Sequence, residues 1–181
     1  MGGREIFATS RLRLCALTPE DYGALCPILQ DAETMAAYEH AFSDDEVRAW
    51  LGRQLRRYRE DGIGLWAVRR RSDGLLVGQC GLTLQDIGRS RPVTEIGYLF
   101  RRDCWHRGYA TEAAQGCRAY AFGQLGLPEV WSIVRDTNLA SRRVAERNGM
   151  VRVGRLLKHY WGVSMPHDLF RVSAPKPRPC P

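Results

Sequence analysis

The segment 94–113 consists of T-E-I-G-Y-L-F, followed by R-R-D-C-W-H-R and then G-Y-A-T-E-A. We predict a strand over Val93–Phe100 and a helix over Gly108–Gly123, one face of which carries small residues. An arginine-rich loop joins these two elements. The most informative feature of the sequence is therefore a strand that leads into a helix beginning at a glycine.

This junction predicts a site for a phosphate group. Helix N-termini present unpaired N–H groups and a partial positive charge, which together bind anions. Gly108 lets a pyrophosphate approach the backbone and Ala110 keeps crowding low, while Arg101, Arg102 and Arg107 add positive charge nearby. Neither the Walker pattern G-x-x-x-x-G-K-[ST] nor the Rossmann pattern G-x-G-x-x-G is present. The alternative is that Gly108 only begins a helix that packs on a sheet.

The rest of the chain predicts a mixed sheet with helices on both faces. Hydrophobic periodicity and capping residues indicate the elements. Further helices are predicted from Thr18 to about Gln30, from Ser43 to the break at Asp61, and over Asn138–Arg147. The other predicted strands are Arg11–Leu17, Ile63–Arg69, Leu75–Leu84, Glu129–Val134, Val151–His159 and Asp168–Val172.

The composition is that of one soluble domain. Of the 181 residues, 44% are hydrophobic and 26% are charged, which is ordinary for a globular protein. We expect a single domain over residues 1–173 and a mobile tail over residues 174–181, where four of the nine prolines lie. No apolar run approaches the roughly 20 residues that cross a bilayer. The first ten residues lack a secretory pattern, so we expect a cytoplasmic protein without membrane contact.

The formal net charge of +7 allows two explanations. A basic surface could attract an anion such as a nucleotide cofactor, a nucleic acid or an acidic protein. The preference for arginine over lysine could instead reflect a GC-rich genome. A nucleic-acid partner is disfavoured because the chain lacks aromatic residues interleaved on a basic face and any known binding motif.

The six cysteines predict free thiols in a reducing compartment. None are paired as C-x-x-C, and no Cys/His cluster has the spacing of zinc ligands. We therefore expect no metal site.

A second segment follows the predicted strand Glu129–Val134, namely R-D-T-N-L-A-S-R-R-V-A-E-R-N-G-M over residues 135–150. With it, the sequence resembles the GNAT superfamily of N-acetyltransferases. The run W-H-R-G-Y-A-T-E-A over Trp105–Ala113 is similar to that family's Q/R-x-x-G-x-G/A motif, and Asn138–Met150 is similar to its N-x-x-S/A…E-x-x-G-F element. The version here is most similar to the branch of ribosomal-protein N-terminal acetyltransferases, the Rim type. The resemblance covers Ser10 to Val172.

The resemblance implies a GNAT-like α/β fold with a central, mostly antiparallel mixed sheet of about six to seven strands and helices on both faces. It also implies acetyl-CoA as co-substrate. Backbone groups of Leu99 and Phe100 would pair with the pantetheine amides, and Asn138 would hydrogen-bond the pantetheine arm. The pyrophosphate would be held by backbone N–H groups of Arg107, Gly108, Tyr109, Ala110 and Thr111.

Acetyl transfer needs two proton events, because the amine must lose a proton and the leaving thiolate must be stabilised. Glu95 is the candidate base, and the alternatives are a surface glutamate without a role or a water chain that carries the proton. Ser141 is the candidate donor to the sulfur, since the tyrosine that many family members place four residues later is Ala145 here. Ser141 could instead contact only the cofactor or the helix backbone. An acyl-enzyme on Cys104 is disfavoured because the family transfers the acetyl group directly.

The resemblance implies that the acceptor lies between the segments Asp31–Phe42 and His159–Pro166. The candidate residues for a cationic amine are Glu33 and Glu39, with Tyr38, Phe42, Tyr160 and Trp161 as walls. The alternative is a solvated acidic loop. The sequence does not separate a protein N-terminus from an aminoglycoside, a polyamine, an amino acid or a small amine.

The implied function is acetyl-CoA-dependent N-acetylation of a primary amine on a small molecule or a protein N-terminus, by direct transfer. The alternative is a non-catalytic CoA-binding or regulatory module, which the absence of a tyrosine at Ala145 favours. Both a monomer and a homodimer are compatible with the sequence.

Overall fold

The chain folds around one mixed sheet in the computed structural model, which describes residues 2–38, 40–160 and 163–175. Within these residues the strand order is β1-β2-β3-β4-β5-β6-β8-β7, and all neighbours are antiparallel except β5 and β6, which run parallel. The elements in chain order are β1 Glu5–Ala8, β2 Leu12–Cys15, α1 Tyr22–Leu29, α2 Asp44–Glu60, β3 Leu65–Arg70, β4 Leu76–Gln85, β5 Val93–Phe100, α3 Tyr109–Gly123, β6 Glu129–Arg135, α4 Leu139–Arg147, β7 Val151–Tyr160 and β8 Val163–Ser173.

The predicted fold class is confirmed, but the predicted number of about six to seven strands is wrong. The sheet has eight strands, because Glu5–Ala8 adds an edge strand that pairs with β2. Phe7 in this strand stacks on Tyr120 with ring centroids 5.5 Å apart and meets Trp66 edge-on at 6.0 Å. A strand of four residues carries little periodicity of its own, and these contacts come from distant parts of the chain.

The last strand is also longer than predicted. β8 begins at Val163 instead of Asp168, because it forms a hairpin with β7 that extends to the pair Tyr160–Val163. His167 therefore lies within β8 and is buried.

Alternation along β3 places apolar side chains on both faces of the sheet. Trp66 and Val68 belong to the apolar cluster on the α3 and α4 side, which also contains Cys117. Leu65 and Ala67 belong to the cluster on the α1 and α2 side. The helices therefore cover both faces of the sheet, as predicted.

β5 and β6 separate towards their carboxyl ends. Their ladder contains one register pair, Glu95–Trp131, among the described residues. Beyond this pair, the Ser132 hydroxyl donates a hydrogen bond to the Ile96 carbonyl at 3.0 Å, and the Ile133 N–H donates to Glu95 Oε1 at 3.3 Å. Side chains thus replace ladder hydrogen bonds, which lets the two strands diverge without leaving these backbone groups unpaired.

Glu112, in the first turn of α3, joins that helix to the turn between β1 and β2. One carboxylate oxygen accepts hydrogen bonds from the Thr9 hydroxyl at 2.6 Å, the Ser10 hydroxyl at 3.0 Å and the Arg11 N–H at 2.9 Å. The other accepts from Arg11 Nε at 2.7 Å, and Arg11 Nη1 donates to the Arg107 carbonyl at 3.0 Å. These contacts fix where α3 begins.

Other expectations concern membranes, metals and thiols. No helix among the described residues is long and apolar enough to span a bilayer. No group of three or more His, Cys, Asp or Glu residues in that part of the chain is placed to hold a metal ion. The described cysteines are free thiols, and residues 176–181 of the predicted tail lie outside the described residues.

We predict that Glu112→Ala lowers the free energy of unfolding by about 2 kcal/mol, because it removes charge-assisted hydrogen bonds to a half-buried carboxylate. Burial raises the pKa of Glu112, but the hydrogen bonds from Thr9 and Arg11 outweigh it and hold the pKa below its ordinary value. The stabilisation is therefore complete above the pKa of an unfolded glutamate and is lost as the pH falls through the lowered native pKa.

Urea denaturation at neutral and acidic pH measures this loss. Glu146→Ala on the exposed side of α4 is the matched control and should change stability by less than about 0.5 kcal/mol. Equal effects of the two substitutions would contradict the role given to Glu112.

Candidate active site

A cleft of about 1080 Å³ opens where β5 and β6 diverge. One half, the cofactor half, lies beside the beginnings of α3 and α4. The other, the acceptor half, lies beside α2, the segment that joins α1 to α2, and the ends of β7 and β8. Glu95 lines the cleft at the point where the strands part.

The loop before α3 has the backbone shape of an anion site. Gly108 is the N-cap residue of α3 and has φ of 79°, and His106 also lies in the left-handed region with φ of 60°. Alternation of left- and right-handed residues turns successive N–H groups towards one point, which forms a concave site for an anion. Gly108, Tyr109, Ala110 and Thr111 line the cleft here, and their predicted contact with a pyrophosphate stays a prediction.

Arg107 is placed differently from the other predicted pyrophosphate residues. It is exposed, it does not contribute to the cleft lining, and its carbonyl accepts a hydrogen bond from Arg11. The proposed contact through its N–H therefore stays a prediction.

The arginines that we expected to add positive charge are largely neutralised. Arg101 pairs with Asp103 at 2.9 Å, and Arg102 pairs with Glu33 at 2.7 Å and with Asp31 at 3.5 Å. The cations that do line the cofactor half are Arg143 and Arg147, which are exposed on α4. The signal that sequence reasoning missed is their spacing: they lie four residues apart, five and nine residues after the Asn138 cap.

The first turn of α4 is held in place by several hydrogen bonds. Asn138 caps the helix, since its side-chain oxygen accepts from the Ser141 N–H at 3.0 Å, and this leaves its amide NH₂ as the donor for a ligand. The Tyr98 hydroxyl donates to the Ser141 carbonyl at 3.0 Å, which joins β5 to α4. On the other side, Arg142 pairs with the buried Asp168 at 2.6 Å. Asn138 and Ser141 thus line the cleft on a fixed helix end.

Ala145, one turn further along α4, faces the core instead of the cleft. Its side chain is 1% exposed and belongs to the apolar cluster under α3. A tyrosine at this position would have to displace packed side chains. Ser141 is the hydroxyl that α4 presents to the cleft.

Glu95 is polarised by groups from several elements. Burial raises the pKa of its carboxyl above the ordinary value, and the Lys158 ammonium, the Ile133 N–H, the Thr83 hydroxyl and the Arg57 guanidinium oppose this in part. The net effect is a carboxylate with increased basicity inside the cleft. The sequence suggested Glu95 but gave no sign that Lys158 and Arg57 lie near it.

The predicted acceptor residues have different outcomes. Glu33 and Tyr38 line the cleft, but Glu33 is the ion-pair partner of Arg102. Tyr38 packs edge-on against Phe42 and Trp50. Glu39, Trp161 and the side chain of Tyr160 lie outside the described residues.

A family model for the acetyltransferase (GNAT) domain matches residues 11–151. The chain belongs to the GNAT family. Members of this family transfer acetyl groups from acetyl-CoA, and relatives of this chain carry the name N-acetyltransferase. This GNAT protein is therefore an enzyme that N-acetylates an amine with acetyl-CoA as co-substrate.

Individual relatives agree with this membership. The uncharacterized protein YkkB of Bacillus subtilis (strain 168) is 33% identical over 151 residues, which cover 83% of this chain and 87% of YkkB. The FsC-acetyl coenzyme A-N(2)-transacetylase of Aspergillus fumigatus is 31% identical over 162 residues, which cover 84% of this chain and 67% of that enzyme. RimL, the ribosomal L7/L12 alpha-N-protein acetyltransferase in complex with coenzyme A, superposes with a TM-score of 0.77 at 15% identity and covers 94% of this chain and 98% of RimL. The last likeness shows that this GNAT protein shares its fold with a Rim-type enzyme.

We predict that Gly108→Ala lowers the free energy of unfolding by about 1 to 2 kcal/mol, because an L side chain is strained at its left-handed backbone angles. The same change should weaken CoA binding several-fold, since the strain moves the N–H groups at the start of α3. Chemical denaturation and calorimetric titration with CoA measure the two effects.

Gly123→Ala, at the other end of α3, is the matched control. A Cβ there meets no atom within 4 Å, so the substitution should leave stability and CoA affinity unchanged or slightly improved. If Gly108→Ala binds CoA as well as Gly123→Ala does, the loop before α3 is not the pyrophosphate site.

Proposed function

We propose that the cleft transfers acetyl directly from acetyl-CoA to a primary amine, on a small molecule or a protein N-terminus, with Glu95 as general base and Ser141 as hydrogen-bond donor to the leaving sulfur. The observation that carries this proposal is the position of Glu95. Its carboxyl lies in the opening between β5 and β6, and Ser141 lines the same cleft from α4. A base and a hydrogen-bond donor in one cleft are the two groups that the chemistry requires, which supports the proposal.

The cofactor half offers groups of the right chemistry for each part of acetyl-CoA, which would supply the acetyl group as a thioester. The loop at Gly108 presents N–H groups suited to a pyrophosphate, and Arg143 and Arg147 supply cations. Leu99 and Phe100 line the cleft on the part of β5 that has separated from β6. The Phe100 carbonyl accepts a hydrogen bond from Trp105 Nε1 at 2.9 Å, so the contact of these two backbones with the pantetheine amides stays a prediction. The Asn138 NH₂ group supports the predicted contact with the pantetheine arm.

The acceptor amine would lose its proton to Glu95. A general base works best when its pKa approaches the working pH, and burial raises the pKa of this carboxyl in that direction. The Ile133 N–H donates a hydrogen bond to one oxygen of the Glu95 carboxylate and helps to orient it. The carboxylate keeps further lone pairs that can accept the proton of the amine.

Ser141 is favoured over Tyr98 as the donor to the leaving sulfur. The Tyr98 hydroxyl already donates to the Ser141 carbonyl, and burial raises the pKa of this phenol. Cys104 also lines the cleft, but burial and the neighbouring Asp103 raise the pKa of its thiol, so it is a poor nucleophile. This supports direct transfer without an acyl-enzyme.

We also propose a cytoplasmic location. The free state of the described cysteines, two of which place their Sγ atoms 3.5 Å apart without a bond, supports a reducing compartment.

We predict that Glu95→Gln lowers kcat by about 100-fold or more, because the amide cannot accept the amine proton. In the unsubstituted enzyme the rate should rise with pH as Glu95 loses its proton, at a pH above that of an exposed glutamate, because its pKa is raised. The substitution should abolish this acidic limb of the pH profile. Steady-state release of the CoA thiol over a range of pH measures both effects.

The glutamine oxygen can still accept the Ile133 N–H, so acetyl-CoA affinity and the unfolding midpoint should stay unchanged. An unchanged rate and pH profile in Glu95→Gln would show that a water chain or another group carries the proton. Binding of acetyl-CoA without transfer to any amine would instead identify a non-catalytic module.

We predict that Ser141→Ala lowers kcat by roughly tenfold to a hundredfold while the affinity for acetyl-CoA changes little. The helix cap survives because Asn138 bonds the Ser141 N–H, which the substitution leaves in place. The loss should be larger for acetyl-CoA than for an activated acetyl thioester with a more acidic thiol, which needs less stabilisation on leaving. Equal losses with both donors would assign Ser141 to cofactor contact alone.

A further inference from the structure

The acceptor half of the cleft has an excess of positive charge. Its cationic side chains come from α2, β6 and β7, and its buried His167 comes from β8. The cations are Arg53, Arg57, Arg135 and Lys158. The same half has three carboxylates among the described residues, Glu33, Glu46 and Glu95.

Two of these carboxylates are committed to other groups. Glu33 pairs with Arg102 at 2.7 Å. Glu46 pairs with His40 at 2.7 Å and also accepts the Ser43 N–H at 2.8 Å as part of the α2 cap. Neither is therefore well placed to receive a cationic acceptor, contrary to the role that the sequence suggested for Glu33.

The cations are not neutralised in the same way. In the part of the chain that the structure describes, no carboxylate oxygen lies within 4.0 Å of Arg53, Arg57 or Lys158. Arg53 lies over the Trp50 ring at 5.6 Å from its centroid, and Arg57 donates only to Gln54 at 3.4 Å. Like charges four residues apart destabilise a helix slightly, and an anionic ligand would offset this repulsion.

These cations act on the same region as the candidate base. Arg57 and Lys158 are close enough to Glu95 to affect the charge of its carboxyl, and Arg53 acts on Arg57. Arg53, Arg57 and Glu95 line the same cleft, so an anion that contacts the arginines and an amine that contacts Glu95 can belong to one bound molecule.

The segment between α1 and α2 covers this half of the cleft. Arg135 Nη1 donates to the Ala36 carbonyl at 3.1 Å, which ties the segment to the end of β6. The Arg102–Glu33 pair ties it to the turn after β5. These contacts favour a compact ligand.

We propose that the acceptor is a small amine that carries an oxyanion, a carboxylate or a phosphate, a few bonds from the nitrogen, and that Arg53 and Arg57 bind this anion. The inference rests on the proposed function. The amine nitrogen forms the new C–N bond as the thioester C–S bond breaks, its proton passes to Glu95, and the thiolate leaves as CoA. Polyamines and aminoglycosides are disfavoured, because unneutralised arginines repel them.

Pairs of amines that differ only in the anion test this proposal. Suitable pairs are glycine and glycinamide, β-alanine and β-alaninamide, and phosphoethanolamine and ethanolamine, with spermidine as a cationic acceptor. Release of the CoA thiol gives kcat/KM, corrected for the unprotonated fraction of each amine. We expect the anionic member of at least one pair to be favoured by about tenfold or more, because a charge-assisted hydrogen bond is lost in its partner. The pair with the largest ratio separates a carboxylate from a phosphate.

Arginine variants assign the effect to the acceptor half. Arg57→Gln and Arg53→Gln should each reduce the ratio between anionic and neutral acceptors, and Arg57→Lys should restore part of it because the charge returns. Arg56→Gln is the matched control, since Arg56 is exposed on the same helix and does not line the cleft, and it should keep the ratio.

The outcomes separate this inference from the proposed function. Transfer that is equally fast to both members of every pair, or fastest to spermidine, overturns the inference and leaves the N-acetyltransferase activity standing. If peptides with an acidic second residue are acetylated faster than glycine, β-alanine and phosphoethanolamine, the proposal that the acceptor is a small molecule is overturned. The inference is also overturned if Arg56→Gln and Arg57→Gln reduce the ratio of kcat/KM between anionic and neutral acceptors equally. Acetyl-CoA binding with no transfer to any of these small amines also overturns the inference, whereas the proposed function is overturned only if peptide N-termini are not acetylated either.

Discussion

β5 and β6 run parallel but share, within the described part of the chain, only the register pair Glu95–Trp131, and the cleft lies where they separate beyond it. Separating two strands in the middle of a sheet would leave backbone N–H and C=O groups without hydrogen-bond partners. Ser132 and Glu95 prevent this by bonding the Ile96 carbonyl and the Ile133 N–H with their side chains. The residue that would act as base therefore also forms a hydrogen bond across the opening. Its carboxylate is oriented by the Ile133 N–H on one oxygen and by the Thr83 hydroxyl, 3.5 Å away, on the other.

Both helices that begin at the cofactor half are fixed at their first turns. Glu112 binds the start of α3 to the turn between β1 and β2, and Asn138 caps α4 while Tyr98 holds the Ser141 carbonyl. Helix ends that are anchored in this way keep their N–H groups and hydroxyls in position before a ligand arrives, which lowers the entropic cost of binding. The short strand β1 and the turn that follows it lie about 100 residues before α3 in the chain. They contribute to the site because they hold the beginning of α3 in place.

Local patterns were enough to predict most elements, and Val93–Phe100 was predicted with its observed bounds because a strand followed by a glycine-started helix has a distinct sequence pattern. The cap at Ser43 was likewise visible, since capping depends on a few neighbouring residues. β1 was missed because its support comes from Tyr120 and Trp66. The charges of the site were predicted less well. Arg102 and Glu33 are 69 positions apart in the chain, and the fold brings them together as an ion pair. Each therefore neutralises the charge of the other, which the sequence alone does not reveal.

The acceptor half links substrate charge to base strength. Arg57 and Lys158 lower the pKa of Glu95, against the larger opposing effect of burial. An anionic acceptor bound at Arg57 would offset part of this positive charge and would add a negative charge near the carboxyl, and both changes raise the pKa of Glu95 further. The carboxylate would then become a stronger base when a correctly charged acceptor occupies the cleft, while a neutral amine would meet a weaker one. Discrimination would consequently appear in kcat as well as in KM, because the charge that binds the acceptor also adjusts the group that removes its proton.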